Sequence, residues 1–177
     1  MKHQVHIDEI AAKIRNVPNF PKPGIQFKDI TPLLADARLF SAAIDHLIGN
    51  HKPGTIDAVV GIDARGFIFA SAAALRLQTG FVPVRKKGKL PYQCHEESYD
   101  LEYGSNTVAI HTDAAGHGSR ILLIDDLLAT GGTAGAAISL LKKVGAEIIE
   151  VTFLIELGFL NGRAKLDNVP VRSLITY

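Results

Sequence analysis

Asp125 and Asp126 stand side by side at the end of the apolar run Ile121–Ile124, and Thr130-Gly131-Gly132-Thr133 begins four residues after Asp126. Carboxylates at a strand end accept hydrogen bonds from vicinal hydroxyls or hold a cation through water. A glycine loop leading into a helix presents unpaired backbone N–H groups and the positive end of the helix dipole, which together form an anion site. Thr130 and Thr133 add hydroxyl donors, while Gly131 and Gly132 let the backbone approach the ligand closely. The loop contains no Gly-Lys-Ser/Thr, so it is not a Walker loop. Its acids precede the glycines, whereas the dinucleotide fingerprint wants an acid about 20 residues after them. A lone Asp-Asp is usually a cap and a solvated acid. Flanked by this strand and this loop, it suits a diol beside a phosphate, as in ribose 5-phosphate.

Such residues need a scaffold, and the hydropathy pattern supplies one. Short apolar segments, DAVVGI, FVPVRK, TVAIH, RILLIDD and EIIEVTFLIEL, read as strands. They alternate with helical segments, GFIFASAAALRLQTG and TAGAAISLLKKVG. That alternation predicts a doubly wound α/β fold, a central parallel sheet with helices on both faces. Ligands of such sheets bind beyond the carboxyl ends of the strands, so GIDARG, VRKKGK and DDLLATGGT should converge. Upstream, Ile7, Ile10, Ala11, Ile14 and Val17 predict a first helix over 6–17. Pro18, Pro21, Pro23 and Gly24 argue against regular structure through the segment that follows. Asp36 is placed to cap a second helix that closes at Gly49. Residues 86–106 lack helical periodicity and read as a hairpin or lid outside the sheet.

At 177 residues the chain suits one domain with a substantial core. A net charge of +1 advertises neither nucleic acid nor an anionic membrane. No apolar run approaches the ~20 residues that span a bilayer. The single cysteine, Cys94, fits a reducing compartment, so a cytoplasmic protein is expected. The seven histidines show no metal-ligand spacing.

ILLIDDLLATGGT resembles the sugar-diphosphate motif of the type I phosphoribosyltransferases at every defining position. The resemblance implies a parallel-sheet core with a small hood over residues 1–34 and a flexible active-site loop over 86–106. It implies phosphoribosyl pyrophosphate (PRPP) as donor, with Mg²⁺ held mainly by that substrate or through water to Asp125 or Asp126. Asp125 and Asp126 would hold the ribose hydroxyls, and Ala129, Thr130, Gly131, Gly132 and Thr133 the 5-phosphate. Arg65 would meet the pyrophosphate, beside a cis or strained peptide near Asp63-Ala64. Arg85, Lys86 and Lys89 would join it, some of them across a homodimer interface, although a bare RKKGK run more often marks a solvated surface.

The segments NFPKPGIQFKDITPLL, GIDARGFIF, VRKKGKLP, YDLEYG and IELGFLNGRAKL resemble the members of that family that act on adenine, in order, from about residue 17 to 167. Carried over by position, Phe27 stacks on the purine, the backbones of Gln26 and Lys28 read its edge, and Leu157 closes the other face. On residue type alone Phe27 reads first as a core aromatic pinning its loop. Glu102, beside Tyr103, would take the proton of the attacking base. Without the LEYG match it is one of four acids on a solvated loop. Lys28 replaces a common arginine, and PYQCHEES fits the family pattern poorly. A transferase for another base is the nearest alternative. A metabolite sensor that binds nucleic acid would be expected to carry a further domain or a basic face, and these 177 residues offer neither the length nor the charge for it.

Overall fold

The computed structural model describes residues 5–100 and 104–177, which divide into two compact units, Met1–His46 and Leu47–Tyr177. Glu102 and Tyr103 lie outside the described residues.

The first unit opens with α1 (Ile7–Ala12), shorter than the sequence predicts. Ile14 and Val17 continue the helical spacing, but the chain extends into β1 (Arg15–Pro18), which pairs antiparallel with β2 (Gln26–Asp29). Arg15 bridges Asp29 at 2.6 Å across that pair, a tertiary contact that outweighs local periodicity. The expected irregular stretch is therefore confined to residues 19–25. The chain turns through a cis Phe20-Pro21 bond, enters β2 at Gln26, and forms α2 (Thr31–Leu34) with proline in its first turn. Phe27 lies edge-on to Phe20 with ring centroids 5.1 Å apart. Asp36 caps α3 (Ala37–Ile48) as expected, accepting from the Leu39 N–H at 3.1 Å.

The second unit is built on seven strands. These are β3 (Ala58–Ile62), β4 (Gly80–Lys86), β5 (Cys94–Asp100), β6 (Ser105–His111), β7 (Arg120–Leu128), β8 (Glu147–Glu156) and β9 (Val171–Thr176). Their order is β5-β6-β4-β3-β7-β8-β9. The run from β4 to β9 is parallel, while β6 pairs antiparallel with both β4 and β5. Segment 86–106 is thus half inside the sheet, its residues 94–100 forming the edge strand β5 against β6. β5 reads poorly because it buries little, with half-buried and exposed residues alternating along an edge strand. β9 is hidden in the sequence by Arg172 near its start. That guanidinium is satisfied by Glu150 on β8 at 2.9 Å and by the Leu47 carbonyl at 2.8 Å.

Helix α4 (Gly66–Leu77) covers one face and α5 (Gly132–Lys143) the other. The alternation along β7 serves both. Ile121 and Leu123 join the cluster around Ala137, Ile138 and Leu141 of α5, while Leu122 and Ile124 point the opposite way and are equally buried. On β3, a Cβ at Gly61 would stand 2.7 Å from Ala70 of α4, so this strand needs glycine where the helix crosses it.

Candidate active site

β4, β3 and β7 lie side by side and parallel, so their carboxyl ends share one edge of the sheet. The three loops expected to meet do so. Arg65 Nη2 lies 2.6 Å from Asp126 Oδ2, an ion pair without hydrogen-bond alignment. Arg85 Nε donates to Asp63 Oδ2 at 3.1 Å, and its Nη1 donates to the Lys89 carbonyl at 3.1 Å. The Asp63-Ala64 peptide is cis. Lys86 and Lys89 are exposed on a turn closed by the Lys89 N–H to the Lys86 carbonyl.

β7 does not stop at the acids but runs through them to Leu128. Asp126 is buried, only 5% exposed, while Asp125 is half-buried and accepts from the Asp126 N–H at 2.9 Å. Burial, and after it the neighbouring Asp126 carboxylate, push the Asp125 carboxyl well above the usual range. Burial also raises Asp126, against the opposing charge of Arg65. Two acids facing one guanidinium in a desolvated setting leave a surplus of acceptors, which favours hydroxyl donors or added positive charge. Asp125 also explains a glycine that reading the sequence did not single out. A Cβ on Gly66, the first residue of α4, would sit 2.6 Å from Asp125 Oδ1.

Ala129 to Thr133 connect β7 to α5. Gly131 has φ +78° at the helix start, and its carbonyl accepts from Gly135 at 2.8 Å. Thr130 is exposed, and the Thr133 hydroxyl donates to the Tyr99 hydroxyl at 2.9 Å. Behind the loop lies the segment after β8. Leu157 follows the strand directly, and its N–H donates to the Leu128 carbonyl at 2.9 Å. A Cβ on Gly131 would stand 2.1 Å from the Gly162 carbonyl oxygen, and one on Gly162 would stand 2.2 Å from that of Ala129. The Gly162 turn is held from the side by Arg163, whose Nε and Nη2 grip Glu156 at 2.8 and 2.7 Å. Arg163 holds the Glu156 carboxyl below its usual range.

The second unit thus gathers Arg65, Asp125, Asp126, Arg85 and the glycine loop at one sheet edge. Gln26, Phe27 and Lys28 lie on β2 of the first unit, where Lys28 Nζ donates to Asn16 Oδ1 at 2.7 Å. The pairing of Asp63 with Arg85 escaped the sequence reading, as did Gly66, Tyr99 and Gly162. Their only signals were an acid inside GIDARG, the glycine that closes it, the first tyrosine of YDLEYG and the glycine before Arg163.

This is the fold of the type I phosphoribosyltransferases, and the pattern of the phosphoribosyl transferase domain matches residues 27–172. An adenine phosphoribosyltransferase of Acidothermus cellulolyticus is 54% identical over 166 residues, covering 94% of each chain. The crystal structure of adenine phosphoribosyltransferase from Thermoanaerobacter pseudethanolicus superimposes with a TM-score of 0.91 at 46% identity, over 97% of this chain and 99% of that one. The Saccharomyces cerevisiae enzyme, solved with adenine and an imino-altritol bisphosphate, gives 0.90 at 42% identity, over 95% and 97%. The chain belongs to the adenine phosphoribosyltransferase family.

Proposed function

We propose that this chain transfers the 5-phosphoribosyl group of PRPP to adenine, giving AMP and pyrophosphate in purine salvage. The observation that carries the reading is the convergence of Arg65, the Asp125-Asp126 pair and the glycine loop on one sheet edge, in a chain related over nearly its whole length to enzymes of that name.

In this reading the glycine loop, Ala129 to Thr133, binds the 5-phosphate through its backbone N–H groups and hydroxyls. Asp125 and Asp126 accept from the ribose hydroxyls, and Arg65, Arg85, Lys86 and Lys89 neutralise the pyrophosphate. Phe27 and Leu157 hold the purine faces, and the backbones of Gln26 and Lys28 read its edge. The C1–O bond to pyrophosphate breaks with its electron pair leaving on oxygen, and adenine N9 bonds to C1. Glu102, with Tyr103 beside it, takes the N9 proton and offsets oxocarbenium charge on the sugar. Covering the site excludes the water that would otherwise trap that cation.

Among the described residues no group of three or more His, Cys, Asp or Glu side chains is arranged to hold a metal ion. Two adjacent carboxylates with surplus acceptor capacity do suit a hard cation that keeps most of its water and is carried in by the diphosphate. Mg²⁺ supplied in that way would offset the charge of the leaving pyrophosphate, with Asp125 or Asp126 holding it through water. The reading includes a cytoplasmic homodimer. No described helix is long and apolar enough to cross a membrane.

The test is initial-rate pyrophosphate release from PRPP and adenine, with and without chelator, alongside sedimentation of the same sample. Adenine-dependent release that chelator abolishes, from a particle of twice the chain mass, is the expected result. Release that ignores adenine would overturn the assignment.

A further inference from the structure

Tyr99 lies on β5, paired across the hairpin with Asn106 and three residues before Glu102. Its side chain leaves the sheet edge and reaches the glycine loop at two points. The ring lies so close over Gly132 that a Cβ there would stand 2.9 Å from Tyr99 Cδ2. The hydroxyl accepts from Thr133 Oγ1 at 2.9 Å. Tyr99 also packs against the buried cluster beneath α5, so its ring has a role in packing. The phenol oxygen is surplus to that role, because phenylalanine would fill the same space.

We propose that Tyr99 is a positioning residue of the phosphate subsite, setting the Thr133 hydroxyl through its own. The inference rests on reading Thr133 as a 5-phosphate ligand. Thr133 has one O–H, and here it points at Tyr99, so it cannot donate to a phosphate at the same time. A phosphate oxygen entering the loop takes that donor, and the phenol then turns and donates to Thr133 Oγ1. No proton changes owner. The resulting chain, phenol to threonine to phosphate, polarises the bond that reaches the anion and holds Thr133 in the binding rotamer. Gly132 is required because any side chain would displace the ring that sets this geometry. Tyr99 lies near the end of β5, three residues before Glu102 in the sequence, so the contact ties the phosphate loop to that strand.

The experiment is calorimetric titration of ribose 5-phosphate into wild type, Tyr99→Phe, Thr133→Val and the double variant. Tyr99→Phe keeps the ring over Gly132 and removes only the hydroxyl. It should weaken binding about threefold, because the Tyr99–Thr133 bond exists with and without the anion and only its hold on the Thr133 rotamer and its polarisation of the bond to phosphate are lost. Thr133→Val should weaken it at least as much, and the double variant no further than Thr133→Val alone, because the phenol acts only through Thr133. Wild-type affinity in Tyr99→Phe, or losses that add in the double variant, would overturn the proposal. Adenine turnover is measured on the same preparations. A wild type that binds ribose 5-phosphate but makes no AMP defeats the proposed function and leaves the Tyr99 result standing. A wild type that does not bind ribose 5-phosphate removes the phosphate-site reading and this inference with it.

Discussion

Replacing Gly162 with alanine isolates how the glycine loop is held. The added Cβ would stand 2.2 Å from the Ala129 carbonyl oxygen and 3.0 Å from the Gly131 nitrogen. Carbon and backbone oxygen rarely approach within about 3.3 Å, so the two segments must part by about 1 Å. Gly162 has no left-handed φ, so the whole effect is steric. Arg163 pins the Gly162 turn to Glu156, which leaves the glycine loop to move. A displacement of about 1 Å in a positioning element can lower activity about 100-fold. Gly118→Ala is the control, since φ is +77° there but nothing lies within 4 Å. It should cost about 1–2 kcal/mol of stability and leave the site intact. Gly131→Ala combines both penalties and should be the worst of the three. The assay pairs urea unfolding with kcat/KM for PRPP. A Gly162→Ala variant with wild-type kcat/KM, or a Gly118→Ala variant as impaired in kcat/KM as Gly162→Ala, would refute the reasoning.

Glu102→Gln should lower turnover by roughly 10²–10⁴ while ribose 5-phosphate still binds, as followed by single-turnover kinetics and titration. Unchanged turnover would remove Glu102 from proton transfer. Asp126→Asn should weaken PRPP binding about tenfold or more, the loss of a charged acceptor; overlapping titrations would refute that role. Asp57 gives a pH test remote from the site: Arg120, through side chain and backbone, holds its carboxyl down to about 2, against an ordinary 3.8. Because the folded chain binds fewer protons between those values, the stabilisation is complete above about pH 5 and disappears as pH falls towards 2. Asp57→Asn should therefore melt earlier than wild type at neutral pH and with it near pH 2; a gap that persists in acid would contradict the linkage.

The parallel core was legible because its strands are buried on both faces and read as unbroken apolar runs, as at Val59-Val60 and Leu122-Leu123. The phosphate loop and acids were legible because their chemistry is local, packed into nine residues from Asp125 to Thr133. What escaped depends on contacts distant in sequence. Arg172 looks wrong for a strand until Glu150 stands beside it. Ile14 and Val17 look helical until β2 pairs with their segment. Gly162 is an ordinary turn glycine in the sequence, and only the fold brings its carbonyl against Gly131. Tyr99 is half of an alternating pattern on an edge strand, and nothing local directs its hydroxyl to Thr133.

The most direct measurement offers the purified protein PRPP, Mg²⁺ and an equimolar mixture of adenine, hypoxanthine, guanine, xanthine and orotate, and identifies every nucleotide formed. AMP should be the dominant product, appearing in step with pyrophosphate. A different nucleotide would preserve the sugar-phosphate site and contradict the adenine roles given to Phe27 and Leu157. Bound PRPP with no nucleotide formed from any base would contradict the account at its centre.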